Sequence, residues 1–219
     1  SRTNGGYDMA VNGGSVLNLN YRKTGYLPVQ RTLAAPWQEY VVAEDVVMLT
    51  ANPQSTALTM PYANMQVALG GTSLDDRGSR RPSLLVPAGV TASIITYQGL
   101  TQQVDSLTVR FTEFTVGEQG LNAMPGDLPP TVAYTYCVGL GADEAQQKVA
   151  GMDVLFSAPV FYYLDNFLGL PAGLTMPYAY YDNDQGAWVP SPDGRVLQLL
   201  GTNAAGLATA SFTSDAAVI

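Results

Sequence analysis

Apolar and polar residues alternate in short runs along almost the whole chain, and most runs close on a glycine-containing turn; no other feature narrows the fold so far. Val16, Leu17, Leu19 and Tyr21 interleave with Asn18 and Asn20. Residues 40–50 are rich in β-branched side chains, and residues 107–116 alternate Leu, Val and Phe with polar neighbours. A period of two sends successive side chains to opposite faces, so these runs read as half-buried strands. Between them, Asn12-Gly13-Gly14, Gly70-Gly71, Gln98-Gly99, Gln119-Gly120, Asp184-Gln185-Gly186 and Asp193-Gly194 supply residues that tolerate positive φ. Strands spaced about 8–12 residues apart predict an all-β chain built from β-sandwich units. The one helical signal lies in residues 141–152, where Asp143 and Glu144 suit a first turn; the run is short and Gly-bounded, and reads as a turn or a single helical turn.

Punctuation divides the chain. Asn52-Pro53-Gln54-Ser55-Thr56 is the clearest polar break, and we place a domain boundary there: residues 1–52 form a first unit and residues 53–200 a second sandwich. A second seam falls at residues 122–130, which hold Pro125, Pro129 and Pro130. From Gly201 to Ile219 the composition turns to Thr, Asn, Ala, Gly and Ser, as in a linker or tail. Pro28, Pro36, Pro82, Pro87, Pro159 and Pro177 adjoin strand runs, so those strands should be short or lie at sheet edges.

Composition bounds the partners. Charged residues are 13% of the chain against about 25% in an ordinary globular protein, and the lysines are Lys23 and Lys148 alone. The surface must therefore be built of Ser, Thr, Asn, Gln and Gly, which suits a secreted or cell-surface protein or a piece covered by a larger assembly. A net charge of −8 argues against nucleic acid and anionic membrane surfaces, whose affinity comes from Lys and Arg displacing counterions. No stretch approaches the roughly 18 apolar residues of a spanning helix. The lone cysteine, Cys137, reads as a buried strand residue.

Histidine is absent, which removes Ser-His-Asp and Cys-His triads, His-ligated zinc and the commonest general base. No phosphate loop, dinucleotide fingerprint or Gly-x-Ser-x-Gly elbow is present. Catalysis would rest on carboxylates alone, with Glu113 and Asp165 as candidates. Glu113 is expected instead to pair with an arginine such as Arg110 or Arg77, and Asp165-Asn166 to cap a turn; no enzyme is expected. Oxygen ligands at Asp182 and Asp184 resemble the start of a calcium loop without its third acid or distal Glu, so calcium stands as an alternative to a plain β-turn there. Asp75-Asp76, offset by Arg77, is a weaker second. The aromatics Phe161, Tyr162, Tyr163, Phe167, Tyr178, Tyr180, Tyr181 and Trp188 crowd into thirty residues. From these we take Tyr162, Phe167, Tyr180 and Trp188 as contact residues, either for packing against neighbouring domains or for stacking on sugars.

Residues 5–14 (Gly-Gly-Tyr-Asp-Met-Ala-Val-Asn-Gly-Gly), Leu17-Asn-Leu-Asn-Tyr21, Gly25-Tyr-Leu-Pro-Val-Gln-Arg31 and Pro36-Trp37 resemble the end of the transthyretin-like β-sandwich of teneurins and bacterial YD-repeat (Rhs) proteins. Asp75-Asp-Arg-Gly78, Leu84-Leu-Val-Pro-Ala-Gly89, Thr112-Glu-Phe-Thr-Val-Gly117, Leu128-Pro-Pro130, Asp165-Asn-Phe167 and Gly186-Ala-Trp-Val-Pro190 resemble the plug-type segment that follows it. Leu84–Gly89 is also similar to the β-sandwich of ankyrins and netrin receptors; the His-Phe-Ser self-cleavage site of some members has no counterpart here. The resemblance implies a fibronectin-like or related plug that closes one end of a YD-repeat shell, with other domains of the same large protein as partners. It also implies that strands before Gly5 are missing from the first sheet, which leaves an unpaired edge open to strand-exchanged self-association.

Overall fold

The computed structural model describes residues 2–95, 100–116, 120–129, 134–146, 153–204 and 206–213. Residues 98–99, 119 and 147–152, where turns and the end of the helical signal were expected, lie outside the described residues. Strands β1 (Ser15–Tyr21) and β2 (Val29–Ala35) come first. They are followed by β3 (Ser55–Thr59), β4 (Gln66–Leu69), β5 (Ser73–Asp75), β6 (Gly78–Arg80), β7 (Pro82–Val86), β8 (Ala92–Ile95), β9 (Thr101–Val104) and β10 (Ser106–Glu113). A helical turn, α1 (Gly120–Ala123), precedes β11 (Val138–Ala142), which runs into a second, α2 (Asp143–Gln146). Then come β12 (Asp153–Phe156), β13 (Phe161–Leu164), β14 (Thr175–Asp182), β15 (Ala187–Arg195), β16 (Gln198–Thr202) and β17 (Ala208–Ser211). The chain is all-β, built from small antiparallel sheets. Among the described residues no helix is long and apolar enough to cross a membrane.

Three three-stranded sheets share one core. Strand β10 lies between β3 and β11, β7 between β4 and β13, and β8 between β9 and β12. The alternation in β10 turns Leu107, Val109 and Phe111 inward, where they meet Leu58 of β3, Ala68 of β4, Leu84 and Val86 of β7 and Ala92 of β8 in one buried cluster. Layers approach so closely beside this cluster that a Cβ on Gly70 would lie 2.6 Å from Pro82 Cγ and 3.0 Å from Phe111 Cβ. Burying such side chains contributes roughly 1.5–3 kcal/mol each. Pro82 sits at the first position of β7, where a missing N–H costs least.

The N-terminal unit has a different character. β1 and β2 pair in register from Ser15↔Ala35 to Tyr21↔Val29, while the other edge of β1 has no strand partner among the described residues. β2 is its buried strand, through Val29, Gln30, Arg31 and Ala35. A bridge between Tyr26 and Thr50 and a bond from the Leu27 amide to the Leu49 carbonyl (2.8 Å) tie the unit to the segment that leads into β3. The polar break at Asn52-Pro53 is held from the other side. Arg110 of β10 donates to the carbonyls of Asn52 (2.9 Å) and Pro53 (2.8 Å) and forms an ion pair with Asp143 (2.6 Å).

The last strands form two-stranded ribbons. β14 and β15 pair from Thr175↔Arg195 to Asp182↔Ala187, with a register shift at Pro177, between Met176 and Tyr178. β16 and β17 pair from Gln198↔Ser211 to Thr202↔Ala208. The stretch read from its composition as a linker from Gly201 thus contains a strand as far as Ser211, and residues 214–219 lie outside the described residues. Pro190 and Pro192 of β15 are tolerated because a two-stranded ribbon has a free edge on either side.

Candidate functional site

The four aromatic residues singled out from the sequence fall in two places. Tyr162, paired with Leu84 across β13 and β7, packs against the sandwich core. Phe167, in the loop after β13, lays its ring over the Arg80 guanidinium at 4.8 Å and stands 6.3 Å from the Tyr136 ring. Tyr180 and Trp188 lie on the β14–β15 ribbon, but on opposite faces, because Tyr180 pairs with Val189 whereas Trp188 pairs with Tyr181. Trp188 meets the Tyr181 ring edge-on at 5.3 Å. Tyr180 instead shares its face with Tyr178 two residues away, and both are about half exposed, at 47% and 48%.

Phe167 and Tyr162 belong to a buried polar cluster at one end of the sandwich. The inward stripe of β10, Leu107-Val109-Phe111, ends on Glu113, whose side chain is 7% exposed. Its partner is Arg80, fully buried at the end of β6; the pairing expected with Arg110 or Arg77 is corrected by the structure. Arg110 is engaged with Asp143 on the opposite side of the strand, and Arg77 donates to the carbonyls of Thr115 (2.5 Å) and Thr135 (3.2 Å). Arg80 donates from Nε (2.8 Å) and Nη2 (2.6 Å) to one Glu113 oxygen, Oε1, and from Nη1 (2.8 Å) and Nη2 (2.7 Å) to the two oxygens of Asp75. The fork of a guanidinium suits two carboxylates at once, which a lysine would not match. The bonds from Arg80 hold the Asp75 carboxyl well below the usual carboxylate range. Such a buried pair stabilises little relative to an apolar replacement, but losing one partner costs about 3–5 kcal/mol.

Glu113 is satisfied unevenly. Oε1 also accepts from Thr115 Oγ1 (2.6 Å), whereas Oε2 is buried and has no hydrogen-bond partner among the described residues. The hydroxyls of Tyr136 and Tyr162 are buried as well, and they lie close enough to influence one another's ionisation. Burial pushes the Tyr136 phenol up to about 12 and raises Tyr162 as well, with the Glu113 charge adding to both. Cys137, read as a buried strand residue, is instead half-buried and sits just before β11; burial, with Glu113 again adding, pushes its thiol up to about 12, which disfavours the thiolate.

A second constellation joins the N-terminal unit to the distant ribbon. Gln30 of β2 donates to the Asn183 carbonyl (2.9 Å) at the tip of the ribbon and accepts from the Tyr181 hydroxyl (2.8 Å). Its neighbour Arg31, 8% exposed, donates to the carbonyls of Asn122 (2.9 Å) and Met124 (3.0 Å) and pairs with Asp127 at 3.3 Å. Two glycines permit the approach: a Cβ on Gly126 would overlap the Tyr181 ring, and one on Gly186 the Asn18 amide. The proline-containing segment read as a seam is thus clasped between β2 and the ribbon. Gln30 and Arg31 entered the sequence reading only inside the Gly25–Arg31 motif and Arg80 not at all, because a buried polar side chain in a strand looks like any solvent-facing one.

At the Asp182 turn the local bonds are those of a tight β-turn. Asp182 Oδ1 accepts from the amides of Asp184 (2.9 Å) and Gln185 (2.9 Å), and Oδ2 accepts from the Gln185 side chain (2.7 Å). These bonds, with the Gln185 amide foremost, lower the pKa of Asp182. Asp184 projects from the same turn, and among the described residues no group of three or more acids stands together. In the loop after β13, Asn166 bonds both the amide and the carbonyl of Leu170. The teneurin TTR-like domain model matches residues 1–48, which include the whole of the β1–β2 unit. No curated protein and no solved structure matches the chain.

Proposed function

We propose that the chain is a non-catalytic scaffold module of a large secreted or cell-surface YD-repeat protein, in which it packs against other domains of the same protein and helps close the YD-repeat shell. The single observation that carries this reading is the apolar surface of the β14–β17 ribbons. Tyr178 and Tyr180 of β14, Leu199 of β16 and Leu207 in the turn before β17 stand exposed. Two-stranded ribbons are marginal in water and gain stability by packing, and exposed apolar side chains on such ribbons suit a contact face. The match of residues 1–48 to the teneurin TTR-like domain supports the extracellular setting and a structural role. Hydrogen exchange tests it: within the longer parent protein the amides of β14 to β17 exchange at least tenfold more slowly than in the isolated chain, and equal rates refute it.

An adhesive role is the second reading, motivated by the two half-exposed tyrosine rings on one face of β14. Binding on a glycan array that is abolished by Tyr178→Ala with Tyr180→Ala, and that depends on calcium, would favour this reading over packing.

A further inference from the structure

Two stretches of the chain have almost the same local sequence, Thr3-Asn4-Gly5-Gly6 and Val11-Asn12-Gly13-Gly14, each with a β-branched residue before an Asn-Gly pair. The structure treats them differently. Asn4-Gly5 is held in a turn, where the Gly5 amide donates to the Arg2 carbonyl (3.0 Å) and Asn4 Oδ1 accepts from the Gly6 amide (3.1 Å). Asn12 is exposed at the end of an extended run, residues 7–12, that belongs to no strand. Among the described residues neither its side chain nor the Gly13 amide has a hydrogen-bond partner. Gly13 itself is fixed in place: a Cβ there would overlap the Pro36 carbonyl oxygen and lie 2.9 Å from Trp37 Cα.

We propose that Asn12 is a site of spontaneous deamidation, while the fold protects Asn4. The Gly13 backbone nitrogen, its proton lost to solvent, attacks Asn12 Cγ; the Cγ–Nδ2 bond breaks, ammonia leaves, and a succinimide ring closes. Water then adds to either ring carbonyl and opens the ring to aspartate or isoaspartate, so one water is consumed for each ammonia released. Nucleophile and target are tethered side by side, and the attack needs only local rotation about the Asn12 side chain and backbone. A glycine after the asparagine favours it, because no Cβ shields the attacking nitrogen and its backbone turns freely. At Asn4 the corresponding nitrogen donates to Arg2 and the side-chain oxygen is held by Gly6, so the turn must open before the ring can form. Either product adds a negative charge to a chain of net charge −8, and isoaspartate also lengthens the main chain by a carbon just before β1. The close approach of Pro36 and Trp37 requires a glycine at position 13, so packing itself retains the reactive pair.

Ageing the folded chain in mildly alkaline buffer, followed by peptide mapping in a mass spectrometer and labelling with isoaspartyl methyltransferase, tests this. Conversion at Asn12 should run about tenfold faster than at Asn4, the factor expected from two hydrogen bonds of ordinary net strength. Equal rates, faster conversion at Asn4, or no conversion at Asn12 overturns the proposal. In the chain unfolded by guanidinium the two sites should convert at similar rates, since their local sequences match; a contrast that persists there overturns the protective role of the fold. Asn12→Gln, whose longer side chain closes the larger ring slowly, should abolish most of the methyl labelling of the aged chain, and undiminished labelling overturns the assignment to Asn12.

Discussion

The sandwich centred on β7 and β10 and the β14–β15 ribbon use the same alternating pattern to opposite ends. In β10 the inward residues Leu107, Val109 and Phe111 are buried, and the next inward position, Glu113, is matched by the fully buried Arg80. In β14, Tyr178 and Tyr180 also share a face, yet both remain about half exposed. Alternation therefore specifies that a strand has two faces, and says nothing about what covers them. The sandwich finds its cover within the described residues, whereas the ribbon is held at its tip, through Gln30 and the approach at Gly126, and leaves Tyr178 and Tyr180 about half exposed.

Substitutions separate the two regions. Arg80→Met strands the charges of Asp75 and Glu113 in a buried site, and chemical denaturation should register a loss of about 3–5 kcal/mol; a loss under about 1 kcal/mol would mean that water reaches the cluster. Leu107→Ala empties the centre of the core and should cost about 2–5 kcal/mol by the same measurement. Gly126→Ala forces the Tyr181 ring aside and with it the bond to Gln30. We expect a cost of about 1–3 kcal/mol, read as faster hydrogen exchange in β14 and β15 with β7 and β10 unchanged. If exchange accelerated everywhere, the ribbon and the sandwich would be one cooperative unit. Tyr180→Ser, on the exposed face, should alter the stability of the isolated chain by no more than about 0.5 kcal/mol, and a larger loss would place that ring in the core.

Titration divides them in the same way. The Asp75 and Asp143 carboxyls are held low by Arg80 and Arg110, so their stabilisation is complete above the unfolded carboxylate pKa of about 4 and is lost as pH falls below it. Cys137 and Tyr136 are raised to about 12, so the stability they contribute is present below their unfolded values, about 8.5 and 10, and is lost as pH rises towards 12. A melting-temperature profile should fall at both ends. Arg80→Met should flatten the acid limb, and Cys137→Ala should remove the part of the alkaline loss that begins near pH 8.5. An unchanged acid limb in Arg80→Met would show that Asp75 is not what titrates.

Much of the fold was legible. The strand runs at residues 16–21 and 107–113 and the helical turn opening at Asp143 follow from periodicity and from acidic residues at a helix start, which act over a few residues, whereas the β-branched run at 40–50 forms no strand beyond a single bridge at Thr50. The Asp165-Asn166 turn was legible for the same reason, since Asn166 bonds only four residues ahead. The partner of Glu113 was not. Arg110 is only three residues away in sequence, Arg77 and Arg80 are almost equally distant, and only the packing of β6 against the end of β10 selects Arg80. The clasp at Gln30 was equally hidden, because it joins residues about 150 positions apart through uncharged polar groups that carry no pattern.

By itself the sequence determined an all-β chain with acidic balance, no histidine chemistry and glycine-closed turns, because alternation, charge and side-chain inventory are properties of residues and their near neighbours. Tertiary structure alone decided which alternating faces became core, which arginine entered it, and which tyrosines stayed in solvent. Burial depends on what other strands bring to the same place, and a single strand does not encode its neighbours.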